Sequence, residues 1–113
     1  MEIQSKVENG FTSLAINGRL DAVTAAAAEA DINKVIESGA TRLVLNLAGL
    51  DYVSSAGLRV LLVTAKKLSR QNGKIVLYGL KDNVREVFSI SGFLSIFPIA
   101  ADETEASRSF QTN

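Results

Sequence analysis

Residues 51–62, DYVSSAGLRVLL, set two adjacent hydroxyls, Ser54 and Ser55, between an apolar run and the start of a helical stripe. A serine becomes a nucleophile only where a base takes its proton, and this chain of 113 residues contains no histidine and no cysteine. Lys66 and Lys67 lie about three turns further along the expected helix, out of reach of Ser55. A serine hydrolase is therefore the weakest of the available readings, and no catalytic residue is nominated. Two other chemistries remain open. A serine before a helix is a preferred N-cap, accepting a hydrogen bond from a free amide of the first turn. A serine hydroxyl also accepts a phosphate, which adds roughly 1.5 to 2 negative charges, and the dipole and free amides of a helix N-terminus tolerate an anion. The fold would survive that change. A partner docked over the same helix end would lose affinity, since about 1.4 kcal/mol is already tenfold.

The elements that must position these serines are legible as patterns. EIQSKVE (2–8) and FTSLAIN (11–17) read as antiparallel strands joined at Asn9-Gly10, a strong hairpin signal because both residues tolerate positive φ. Asp21 stands where it can cap a helix whose body carries Ala25, Ala28, Ile32, Val35 and Ile36 at helical spacing, with Gly39 as its stop. Its run of alanines fits either a close approach to a sheet or helix propensity alone. TRLVLNL (41–47) has the aliphatic run of a central strand buried on both faces. From Ala56, the residues Leu58, Leu61, Leu62, Ala65 and Leu68 form a second helical stripe ending at Asn72-Gly73. KIVLY (74–78) reads as a strand, and KDNVREVFSISG as a short helix with Val84, Val87 and Phe88 inward. LSIFPIA reads as an edge strand, because Pro98 cannot donate to a ladder. Residues 101–113 form either a short helix or a mobile tail, with Phe110 as the apolar anchor. Helices alternating with strands after a hairpin predict one α/β domain over 1–113, built on a mixed sheet with about four flanking helices.

Composition narrows the function further. Hydrophobic residues make up 47% and charged residues 21%, as in a folded domain. Twelve Lys and Arg balance twelve Asp and Glu, which removes the global attraction that nonspecific nucleic-acid or anionic-membrane binding uses. No apolar stretch approaches the roughly twenty residues of a membrane span. The start Met-Glu-Ile-Gln lacks the regions of a signal peptide, so a cytoplasmic location is expected. Gly10, Gly18 and Gly39 are isolated turn or cap glycines rather than a phosphate loop, and no metal site or cofactor is expected.

Four segments together resemble the STAS domains, and among them the bacterial anti-sigma factor antagonists: INGRLDAVTA (16–25), RLVLNLAGLDYVSSAGLRVLL (42–62), GKIVLYGL (73–80) and VREVFSISGFLSIFPI (84–99). The likeness spans roughly residues 3 to 100, the size of one domain. The family usually carries Asp-Ser-Ser/Thr-Gly-Leu around its phosphorylated residue. Anchoring on Gly57 and Leu58 puts Ser55 at the phosphoacceptor position, Ala56 at the following Ser/Thr, and Ser54 where the family has Asp. Sliding the alignment by one nominates Ser54 as second choice. The missing carboxylate implies slower phosphorylation or a kinase with a different recognition surface. Asp21 matches the acidic residue of the family's Gly-x-Leu-Asp segment, which lies near the phosphoacceptor loop in the resembling fold.

The resemblance implies a protein that is a kinase substrate and not a catalyst. Unphosphorylated, it binds a serine-kinase anti-sigma factor and releases the sigma factor. Phosphorylation of Ser55, with ATP and Mg²⁺ that belong to the kinase, switches binding off, and a PP2C-type phosphatase reverses it. The partner-binding residues expected on this reading are Asp21, Ser54, Ser55 and Arg59, with Val60 and Val63 as apolar anchors on the outward face of the second helix. The alternative keeps the fold without the switch, as a constitutive binding subunit of a transporter or signalling complex.

Overall fold

The computed structural model describes residues 1–110. β1 (Glu2–Val7) and β2 (Thr12–Leu20) form the antiparallel hairpin expected from Asn9-Gly10, with Gly10 at φ +95°. α1 (Ala25–Glu37) buries Ala28, Ile32 and Ile36, the stripe read from the sequence. Then follow β3 (Arg42–Asn46), β4 (Leu50–Val53), α2 (Ser55–Arg70), β5 (Lys74–Tyr78) and α3 (Asp82–Ile90). A single 3₁₀ turn (Phe93–Ser95), β6 (Ile99–Ala100) and α4 (Glu103–Arg108) complete the order.

The mixed sheet runs β1, β2, β3, β5, β6, and β4 pairs with β2 beyond the end of β3. Only β1 is antiparallel to its neighbour; the other pairings are parallel. Parallel strands linked by helices bury both faces, and β3 shows how. Leu43 and Leu45 face the main core, which they share with Ile75 and Leu77 of β5, Ile32 of α1, Leu61 of α2 and Phe88 of α3. Val44 and Val76 point the opposite way, as the pleat requires, into a second cluster with Ala100, Ala106 and Phe110. Phe110 stacks on Phe11 with ring centroids 6.1 Å apart, so it anchors the segment after β6 as its apolar character suggested.

Three elements differ from the sequence reading. β4 is a strand with no sequence signal, because Leu50 and Val53 are buried while Asp51 and Tyr52 are exposed, a pattern without the period of two that marks a half-buried strand. β2 extends to Leu20, since its second half finds a partner in β4 after a register shift at Gly18–Arg19. The expected edge strand from Leu94 shrinks to Ile99–Ala100. Ahead of it the chain turns through Gly92 at φ +78°, and Phe93 and Phe97 pack edge-on against Phe88.

Candidate functional site

β2 and β4 run parallel and end together, and the chain leaves both at the same end of the sheet. From β2 it passes to Asp21; from β4 it passes through Ser54 into α2. The Ser54 amide donates to the Leu20 carbonyl at 3.0 Å, tying the start of α2 to the end of β2. Ser54 is extended, at φ −103° and ψ 178°, and its Oγ accepts from the Gly57 amide at 3.3 Å. It is the N-cap. Ser55 is the first residue of α2 and is exposed. The two hydroxyls thus divide the two chemistries: one is committed to the helix, the other faces solvent.

Gly57 makes this arrangement possible. A Cβ there would stand 2.4 Å from the Leu20 carbonyl oxygen and 2.9 Å from the Val53 side chain, closer than any side chain tolerates. Only glycine lets the first turn of α2 lie directly on the strand ends.

Asp21 heads a turn that leads into α1 and does not cap the regular helix itself, which begins at Ala25. Its Oδ1 accepts from the amides of Val23 (3.0 Å) and Thr24 (3.3 Å), while its own amide donates to the Thr24 hydroxyl at 3.0 Å. This is the reciprocal pattern of a capping box, set one turn early. Arg19 Nε lies 3.5 Å from the other carboxylate oxygen. Partial burial pushes the Asp21 carboxyl upward, but the Thr24 and Val23 amides and the Arg19 charge outweigh it and hold it below the usual carboxylate range.

Sequence reasoning missed a neighbouring group. The Arg19 guanidinium sits 4.2 Å above the Tyr52 ring, a cation–π contact between register partners on β2 and β4. On the other side of β4, Asp51 pairs with Lys81, and the Asn83 side chain donates to the Asp51 carbonyl at 2.8 Å, which ties β4 to α3. Val23 is 90% exposed and Tyr52 is 39% exposed, so this end of the sheet carries apolar surface around Asp21. Recognising β4 as a strand parallel to β2 would have brought Arg19 and Tyr52 together.

On α2, Arg59 is exposed and Val63 half-buried, while Val60 is 3% exposed and belongs to the main core. The expectation of an exposed Val60 is overturned because α1 packs along α2 and covers that flank. Thr64 is buried there too, its hydroxyl satisfied by the Val60 carbonyl at 2.9 Å. Lys67 is drawn to α1, donating to Asn33 Oδ1 at 2.7 Å, and lies roughly 18 Å along the helix axis from Ser55. Among the described residues, no three carboxylates gather into a group that could hold a metal ion, and no helix is long and apolar enough to cross a membrane.

The fold is thus a six-stranded mixed sheet with four helices, and it carries a serine-led helix start on the ends of two parallel strands. The STAS domain model matches residues 2–106, and the chain belongs to the STAS domain family. BtrV of Bordetella bronchiseptica, provisionally named an anti-sigma factor antagonist, is 45% identical over 104 residues, covering 92% of this chain and 90% of BtrV. The anti-sigma factor antagonist SpoIIAA in its unphosphorylated form superposes with a TM-score of 0.81 at 24% identity over 99% of both chains. SpoIIAA, a Bacillus cell fate determinant, gives 0.72 in its phosphorylated form, at 24% identity over 96% of this chain and 99% of its own.

Proposed function

We propose that this chain is an anti-sigma factor antagonist that works in the cytoplasm as the substrate of a serine-kinase anti-sigma factor. The unphosphorylated form binds that kinase and frees the sigma factor. The kinase then transfers the γ-phosphoryl group of its own ATP to Ser55: the Oγ–P bond forms, ADP leaves, and the hydroxyl proton passes to a base of the kinase. A PP2C-type phosphatase restores the binding form.

The observation that carries this reading is the division of labour between the two serines. Ser54 Oγ is held by the Gly57 amide, whereas Ser55 is exposed at the first position of α2. A phosphate on Ser55 leaves the cap and the core beneath it intact while adding charge to the docking face. That face comprises Asp21, Ser55, Arg59 and the exposed parts of Ser54 and Val63, joined by Tyr52 and Val23. The names of BtrV and SpoIIAA support the same reading, as does the solution of SpoIIAA in both phosphorylation states.

Phosphopeptide mapping of the protein from resting and stressed cells tests the site, with condition-dependent occupancy of Ser55 expected. A pull-down of the co-expressed kinase tests the switch. Ser55→Ala should retain the kinase, and Ser55→Asp should lose at least about tenfold in affinity, about 1.4 kcal/mol. Equal capture by both variants, with Ser55 unmodified in every condition, would make the chain a constitutive binding subunit instead.

A further inference from the structure

Resting on the reading of Ser55 as a phosphoacceptor, we infer that Arg59 captures the phosphate placed there, which holds the new charge on the helix and withdraws Arg59 from the docking face. Ser55 and Arg59 are four residues apart in α2, and both are exposed. Residues at that spacing have Cβ atoms about 5–6 Å apart on one helix face, and an anion N-terminal to a cation is the favourable order. Helical side chains lean toward the N-terminus, so the Arg59 stem lies back over the turn that carries Ser55. Its guanidinium then meets the phosphate with paired N–H donors, the geometry that makes arginine a strong phosphate ligand.

The charges around it leave Arg59 available. At the end of β2, Arg19 pairs with Asp21 just beyond the strand; between β4 and the residue before α3, Asp51 pairs with Lys81. Among the described residues, Arg59 forms no ion pair. The same spacing separates the two serines. Four residues beyond Ser54 stands Leu58, which is buried, so a phosphate on Ser54 would find no cation at that spacing. The cation is placed for Ser55 alone. Phosphorylation would then act twice on a partner, by adding an anion and by occupying the arginine.

The test installs phosphoserine at position 55 during protein production, without any kinase, and follows its second ionisation by ³¹P NMR in three proteins: parent, Arg59→Gln and Lys66→Gln. A phosphoserine titrates near pH 6. The parent should titrate lower than Arg59→Gln by a few tenths of a pH unit, about twofold in the acid constant. Lys66→Gln removes the same charge roughly 16 Å along the axis and should leave the midpoint where it is. Coincident midpoints in parent and Arg59→Gln, or an equal displacement in both variants, would overturn the pairing. The result stands apart from the switch itself: an unmodified Ser55 in cells would remove the proposed function and leave this titration unchanged.

Discussion

At the scale of single residues, the two serines should separate cleanly in stability measurements. Ser54→Ala removes the oxygen that satisfies the Gly57 amide and should cost about 1 kcal/mol. In thermal unfolding this is a fall of roughly 4–6 °C. Ser55→Ala removes an exposed hydroxyl and should stay within about 0.5 kcal/mol of the parent. Asp21 offers a second residue-level measurement. Its carboxyl is held below the usual range in the folded chain, so in the unfolded chain it binds its proton at higher pH. The stabilisation it supplies is complete above the ordinary carboxylate pKa and is lost as pH falls through the lower folded value. A ¹³C NMR titration of the Asp21 carboxyl should show that depressed midpoint. Asp21→Asn, which keeps an oxygen for the Val23 and Thr24 amides but loses the Arg19 pair, should remove this part of the acid sensitivity while leaving the fold intact. A midpoint in the ordinary range would show that burial cancels the hydrogen bonds and the Arg19 charge.

At the scale of elements, the contact that matters most is between the first turn of α2 and the ends of β2 and β4. Gly57→Ala should cost about 1–3 kcal/mol in urea unfolding, because the new methyl meets backbone at Leu20 and cannot be relieved by a side-chain rotation. A neutral result would mean that the turn can rise off the strands. The same contact shows where sequence reading succeeds and fails. α1, β3 and β5 were legible because a period of 3.6, or an unbroken aliphatic run, is a local signal that tertiary packing only reinforces. Ser54 and Ser55 were legible as a pair at a helix start, but only the direction of each hydroxyl tells the cap from the exposed residue. β4 carried no local signal, and its pairing with β2 is what sets Arg19 over Tyr52. Val60 failed for a related reason. A helical stripe shows which residues can face a core, and the width of the covered face depends on a neighbour, here α1, that approaches from elsewhere in the chain.

At the scale of the whole molecule, the sheet separates two cores. The larger lies under α1, α2 and α3, and the smaller lies under α4, where Val44 and Val76 meet Phe110. Every residue that shapes the serine-bearing loop belongs to the framework of the larger one. Ser54 is tied to Leu20, Gly57 rests on Leu20 and Val53, and β4 is held between β2 and the Asp51 contacts to α3. Leu20, Lys81 and Asn83 are remote from the loop in sequence, so it has its shape only in the folded chain, and an excised helix start of this length would not form in water. On the proposed function, a kinase acting on Ser55 would meet a folded corner and read a three-dimensional surface, whereas a strand-like peptide would present none of it. Residues 51–62 as a free peptide should be phosphorylated about tenfold or more slowly than the intact domain in the same cell extract. Screens built on linear consensus motifs would then pass over the cognate kinase entirely, and comparable rates for peptide and domain would show that local sequence suffices.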